Sequence, residues 1–442
     1  MQKFNFFIAA LSVFFVFSCA NRIDDLFKDA DNEKITADGH SKAYVPIKRI
    51  TSQPGYHWFG YYDKIQCDPT NRYVLGMRTM FEHRSPTPDD VIEIGMVDLL
   101  DHCKWIRLGE SRAWGWQQGC QLQFIPGSSD EVLWNDREGD RFVCRIMNIK
   151  TRRQRTIPWT IYALSPDGKW AVTTDYRRVN DMRPGYGYAG IPDPNEDVLA
   201  PDNSGIWKID LRTGEGKLII SLAQAVAIPN SLDESFTEAK HWFNHLLVSP
   251  DGKRFIFLHR WRYSDAEQNA PYGGVGGFGT RMFTASAEGA DLRVIDPYNY
   301  TSHFIWRDPS HIMAWTRLPE KGDGFFLFED SPTENIIQAG KDVMTLNGHN
   351  TYLPGNDWIL NDTYPFNERR LQSVYLYHEP TNQRIPLADL HSPVEYQGEW
   401  RCDTHPCSTI DGNFVIVDSP NWDGRQMYLL DIRGIVKATN NQ

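Results

Sequence analysis

The sequence predicts an all-β chain: a seven-bladed β-propeller whose ring is closed by an N-terminal strand. Three observations predict it. One strand–turn–strand pattern recurs seven times along the 442 residues. A third strand-like run follows most of the copies. Aromatic residues reach 13%, including 15 Trp, and such flat, bulky side chains suit pleated, half-buried surfaces. A meander of three or four strands cannot cover both of its faces alone. Seven of them become stable when each packs on its neighbours and the ring closes.

The elements are justified in chain order. Residues 1–19 read as a lipoprotein signal peptide: Lys3, an apolar run over 6–17, then Ser18 before Cys19. The run is too short and too early for a working transmembrane helix. A plain secretory signal cleaved nearby is the other reading. Either one places the mature protein outside the cytoplasm, in the periplasm or at the outer membrane, with a lipid on Cys19 as its membrane attachment. Residues 20–42, polar and acidic over 21–31, read as a tether, and 43–442 as a single propeller domain. Residues 43–51 (AYVPIKRIT) are expected to pair with the last blade and fasten the ring.

The seven copies then begin at Tyr56, Trp114, Ile157, His241, Thr301, Gly348 and Cys402. Their turn tetrapeptides, SPDG twice and IDGN once, are hairpin signals. Two insertions, 179–203 and 264–279, are rich in Pro or Gly and are expected to rise over one face and shape a cleft. Cys402 and Cys407 lie near enough to pair or to flank a metal. Cys67, Cys120 and Cys144 fall in strand-like runs and read as buried thiols.

Composition narrows the function. Lys plus Arg number 46 and Asp plus Glu 57, a net charge of −11, which argues against a sequence-independent nucleic-acid binder. With 41% hydrophobic and 23% charged residues the chain is globular rather than disordered. It is expected to act as a monomer.

In a propeller, the residues just upstream of each innermost strand converge on one end of the central channel. Read off the seven copies, these are His57, Gln117 and Gln118, Tyr162, His241 and His245, His303, His349, then Asp403 and His405. Five of seven blades would thus deliver an imidazole to one ring. Converging imidazoles bind a borderline metal or move protons near neutral pH. His57, His245 and His303 are candidates for proton transfer. His349, Asp403 and His405 look most like metal ligands, because Asp-x-His sets two donors on one strand face. Gln117 and Tyr162 are candidate substrate contacts.

Arginines at strand ends supply positive charge: Arg260 and Arg262 in LHRWR, Arg281 in GTRMFTA, Arg137 in WNDRE, and Arg177 and Arg178 in DYRRVND. Their guanidinium forks suit carboxylates; for each, a structural salt bridge is the competing reading. Together with aromatic walls in an exported acidic protein, these features point to an anionic sugar. β-Elimination of a uronate needs a neutralised carboxylate, a base and an acid. Hydrolysis usually needs two carboxylates across the bond, and no Asp or Glu pair stands out.

The runs TRMFTASAEGADL, TSHFIW, GHNTYLP and THPCSTIDG resemble those of seven-bladed oligogalacturonate lyases. That resemblance implies that Arg281 holds the substrate carboxylate, His303 is the base, and His349 and His405 bind a divalent metal, manganese or calcium. Asp403 stands where those lyases carry a further His. The runs YHWFGYYDK, FEHRSP, AWGWQQG, NDREGD, RPGYGYAGIPDP, HWFNHLL, LHRWR, TSHFIWRD, NGHNTYLP and EWRCDTHP resemble gut Bacteroides propellers of glycoside hydrolase family 145. This second resemblance spans nearly the whole mature chain. It implies cleavage of L-rhamnose from glucuronate on arabinogalactan, by a His on the opposite face that some members replace with Gln. Gln66 and His57 are both candidates for that position. Three functions therefore stand: a lyase acting on uronate glycans, an α-L-rhamnosidase, and a non-catalytic glycan-binding lipoprotein.

Overall fold

The computed structural model describes residues 23–263, 277–331 and 335–439. Residue 19, the signal segment and most of the second insertion (264–276) lie outside them. Seven antiparallel sheets follow one another along the chain, each a meander whose strands neighbour in space as they do in sequence. Blade one runs from Tyr56–Trp58 to Lys104–Ser111 and blade two from Gln123–Phe124 to Gln154–Ile157. Blade three spans Ala163–Leu164 to Gly216–Ser221, and blade four Lys240–Val248 to Arg293–Asp296. Blade five spans Phe304–Asp308 to Ile336–Ala339, and blade six Thr351–Tyr352 to Gln383–His391. Blade seven begins at Cys407–Ser408 and ends, within its own copy, at Gln426–Asp431. The chain is a seven-bladed β-propeller.

The chain start completes the last blade. Ile47–Arg49 pairs with Gln426–Asp431 in the register Ile47↔Leu430 and Arg49↔Tyr428. Lys42–Ala43 adds a fifth strand to blade six. The stretch read as a tether is mostly exposed but touches the propeller at a few buried points, Asp31, Ile35 and Ser41. Ile35 is buried, its carbonyl accepts from Asn421 Nδ2, and the Phe27 ring stacks on Phe414 at 6.0 Å. Ile23, Leu26 and Phe27 pack against apolar residues of blades seven and one, and Ile35 against those of blades six and seven.

The repeated hairpin turns share one chemistry. Ser165, Ser249 and Thr409 each donate a hydroxyl hydrogen to an Asp two residues on, at 2.7, 2.8 and 2.6 Å. The glycine or equivalent that follows, at 168, 252 and 412, sits at φ 66°, 71° and 68°, the left-handed region that favours Gly. Between blades, sheet faces interdigitate: Trp58, Leu75, Ile94 and Trp134 form one such apolar layer, and Leu376, Leu390, Val415 and Leu430 another.

The inner strands of blades six and seven are only two residues long. Their upstream residues are thereby left free of the ladder at the channel mouth. All six described cysteines are free thiols, Cys402 and Cys407 included. Among the described residues no helix is long and apolar enough to cross a membrane.

Candidate metal centre and the channel mouth

Four imidazoles gather at one end of the channel. The ring of His303 lies 4.2 Å from that of His349, and His349 lies 4.3 Å from His405. Tyr61 and Tyr62 join them to His245: Tyr61 lies 5.0 Å from His245 and 5.1 Å from His405, and Tyr62 lies 5.3 Å from His349. Blades four to seven each supply one His. Blade one supplies the two tyrosines, with Asp63 and Lys64 behind them.

Local geometry explains how these side chains arrive. His303 directly precedes the inner strand of blade five, and His349 and His405 stand two residues before theirs. His245 sits in a bulge between Asn244 and Leu247, at φ 52°, and His405 has φ 38°. Left-handed backbone at non-glycine residues persists only where the surroundings over-determine it, and bulges re-aim side chains beside functional sites.

His349, Asp403 and His405 offer donor atoms that all lie within 4.8 Å of one another. The backbone N–H and the ring of His349 both meet Asp362, with Nδ1 at 3.0 and 3.1 Å from its two oxygens. A carboxylate only accepts, so Nδ1 carries the hydrogen and Nε2 presents a lone pair. Thr404 Oγ1 donates to the same carboxylate at 2.5 Å. This carboxylate–imidazole pairing is the arrangement that orients a metal-ligating His.

The candidate donor atoms themselves are orphaned. His349 Nε2, His405 Nε2 and Asp403 Oδ1 are buried without any hydrogen-bond partner, whereas Asp403 Oδ2 accepts from Arg401 Nε at 2.8 Å. Three buried, unpartnered donors pointing together fit a cation. Two imidazole nitrogens and one carboxylate oxygen suit a transition ion such as manganese. Calcium prefers an all-oxygen shell, so of the two expected metals manganese fits the donors better. Burial first, then His349 and the Arg401 and Arg425 charges, holds His405 well below the ordinary histidine pKa. His405 is thus neutral, as a ligand must be.

His303 stands beside this trio. Its Nδ1 meets Asn347 Oδ1 at 3.1 Å, while Asn347 Nδ2 donates to Ser302 Oγ at 3.2 Å. That orientation makes Nδ1–H the donor and leaves the Nε2 lone pair facing Tyr364 Oη at 3.3 Å. Burial, reinforced by His349 and His245, depresses its pKa well below the ordinary value, so the ring is an unprotonated acceptor near neutral pH. His245 stacks on Phe304 at 4.0 Å and turns Nε2 toward Asp63 at 3.4 Å.

Arginines rim the mouth. Arg401 reaches from Asp403 to Tyr186 Oη at 2.7 Å, and Arg183 lies 3.8 Å over the Tyr186 ring. Arg260 is buried over the Phe278 ring, yet its Nε and Nη1 have no hydrogen-bond partner among the described residues. It lines a recess with Arg183, Phe278, Ser302 and Tyr364. Arg262 lies over Trp242 and Phe278 at 6.0 and 5.8 Å, on the same flank.

Other expected site residues lie elsewhere. Arg281, expected to hold a carboxylate, turns inward: its guanidinium donates to the carbonyls of Ala225, Ile228 and Pro229 at 3.0–3.2 Å, which engages the fork inside the protein. His57 does not join the ring. Its Nδ1 meets Gln426 Oε1 at 3.0 Å and its ring packs edge-on against Trp105. His241 turns outward to His259 at 2.9 Å.

Gln117 is a brace, donating to the carbonyls of Glu399 and Arg401 at 2.8 and 3.1 Å. Tyr162 is fully buried, donating to Gln118 Oε1 and accepting from His245 N–H. Arg137 donates to the carbonyls of Pro88 and Ala189 at 2.6 and 3.4 Å. Arg177 forms a two-point pair with Asp175 at 2.8 and 2.7 Å, away from the imidazoles. Gln66 donates to Leu75 O within blade one.

Sequence reasoning did not single out Tyr61, Tyr62, Tyr364, Arg401 or Asn347. Nor did it single out Asp362. An acid ending the second strand of several copies, as in LND, TTD and VDS, was the available signal. In an antiparallel blade that position abuts the residues before the first strand.

No family model matches the chain, and no curated protein matches it either. Solved structures do. An oligogalacturonate lyase from Vibrio parahaemolyticus superposes with a TM-score of 0.59 at 13% identity, over 89% of this chain and 96% of that one. An oligogalacturonate lyase in complex with manganese gives 0.60 at 14% identity, over 88% and 93%. At such identities the likeness establishes a shared fold.

Proposed function

We propose that this protein is a lyase acting by β-elimination on a uronate-containing glycan outside the cytoplasm. The observation that carries the proposal is the orphaned trio of His349, Asp403 and His405 beside the unprotonated Nε2 of His303. The similarly folded lyases, one of them in complex with manganese, support the same reading.

His349, Asp403 and His405 would hold a divalent cation, manganese in the first instance, and such an ion supplies Lewis-acid stabilisation of charge on a carboxylate. Arg260 takes the clamp role that Arg281 cannot fill, because its fork is buried beside the mouth with two nitrogens unpartnered. His303 Nε2 accepts the proton next to the carboxylate. Asn347 fixes the tautomer that makes this possible. Tyr364 Oη, 3.3 Å from that nitrogen, stands where a proton can be returned to the leaving oxygen. Its own pKa is held well above the ordinary value by burial and then by Asp403, so it remains a proton donor.

A hydrolase of the usual two-carboxylate kind would need two carboxylates free to act across the bond. Here Asp63 faces Lys64 and His245, Asp362 faces His349, and Asp403 faces Arg401.

The test is digestion of oligogalacturonate and of rhamnose-capped arabinogalactan, with manganese or with a chelator. The expected result is new ultraviolet absorbance from the unsaturated uronate, lost with chelator and in His303→Ala. Free rhamnose without that absorbance would instead identify a rhamnosidase. Binding without any product, unchanged in His303→Ala, would identify a glycan-binding protein.

A further inference from the structure

We infer that the outer flank of blade three is a second carbohydrate site, a track on which a glycan chain lies across Trp159 and Trp207. Two adjoining hollows define it. The first, about 410 Å³, lies between blades two and three and is lined by Phe142, Trp159, Trp207, Arg141, Arg177 and, from the long insertion, Ile191. The second, about 690 Å³, is lined by Trp159, Trp170, Lys169, Lys208 and Lys217. Trp159 belongs to both, so the two form one groove.

The groove has a direction. Blade three pairs Ala163 with Val172, so its second strand ends at Thr174 on the same face where Tyr162 supports His245. The first hollow opens on that face. The second lies by the turn residues Lys169 and Gly214, at the opposite end of the blade. A chain lying in the groove would therefore lead toward the channel-mouth face from the blade's outer edge.

The wall chemistry is that of sugar recognition. Three indoles are partly exposed along one flank. Trp159 and Trp207 lie 6.0 Å apart at 39°, and Lys208 Nζ sits 4.6 Å over the Trp170 ring. Trp159 is pressed flat on the strand at Gly216, where any Cβ would meet the indole at 2.3 Å, so its ring is a fixed platform. Indole faces stack on the apolar faces of pyranose rings, and planar charged groups at the rim bond their hydroxyls. In a chain of net charge −11 the groove carries five basic and four acidic side chains, which lets an acidic polymer approach. The acidic character of the ligand rests on the uronate reading above; the stacking platform does not.

The experiment is native electrophoresis in gels cast with polygalacturonate or arabinogalactan, compared with gels lacking polymer. Wild type is expected to be retarded, and Trp159→Ala and Trp207→Ala to bind roughly tenfold more weakly. His303→Ala is expected to remain retarded, which separates this site from the channel mouth even if no lyase activity exists. Should either Trp variant fail to fold, the double variant Lys169→Ala/Lys217→Ala, which alters only exposed rim side chains, is expected to reduce retardation in polygalacturonate. Mobility equal to wild type in the folded variants, or no retardation of wild type in either polymer, would overturn the inference.

Discussion

His349 shows how one buried carboxylate can decide what an imidazole does. Asp362 takes the Nδ1 hydrogen, and Nε2 is left without a partner. Losing such an orienting partner typically weakens metal binding 10- to 100-fold. Asp362→Asn is accordingly expected to raise the manganese dissociation constant by about that factor, read by isothermal titration, while His405→Ala abolishes binding. Because a ligand that binds only the native state stabilises it, manganese should raise the melting temperature of wild type but not of His405→Ala.

His57 yields a pH prediction. Burial, outweighing its bond to Gln426, pushes its pKa down to about 4, against an unfolded value near 6.5. Between those values the unfolded chain binds a proton that the folded chain refuses, so stability falls as pH drops through that window. The loss is about 3 kcal/mol, and His57→Gln should remove it, as measured by urea unfolding at pH 7 and pH 4.

At the scale of elements, the long insertion at 179–203 is organised by one arginine. Arg178 is 1% exposed, pairs with Asp193 at 2.9 Å and donates to the carbonyls of Asn195, Val198, Leu199 and His241. Removing one partner of a buried charge pair leaves the other uncompensated, at a cost of about 3–5 kcal/mol. Arg178→Met is expected to loosen this segment, seen as new proteolytic cleavage between residues 179 and 203. The insertion carries Tyr186 to Arg401 and Gly185 to Gln117, so the same variant should disturb the channel mouth. The elements themselves were legible: every copy became a blade. Blade one shows the limit. Its inner strand starts at Tyr56, breaks after Trp58 and resumes with a bridge at Cys67. The excursion between them throws Tyr61 and Tyr62 to the axis in place of His57. Counting residues back from an unbroken strand could not show that break.

At the scale of the molecule, the ring joins at blade seven, which takes Ile47–Arg49 from the chain start and three strands from its end. In a closed array each blade covers the next, so losing the joint exposes two faces. Deleting residues 23–49 is expected to lower the melting temperature by more than about 10 °C, measured by calorimetry. The sequence by itself determined the seven repeats, their hairpin turns and the His-x-x or Asp-x-His donors of the last blades. These are local patterns, written in strand periodicity and turn residues. Only the tertiary structure decided which arginine has its guanidinium engaged inside the protein. Arg260 and Arg281 lie on neighbouring strands, but Arg281 meets three carbonyls from a segment more than fifty residues upstream, whereas two nitrogens of Arg260 have no hydrogen-bond partner among the described residues. A side chain's partners are set by what the folded ring brings across to it, and no spacing along one blade carries that information.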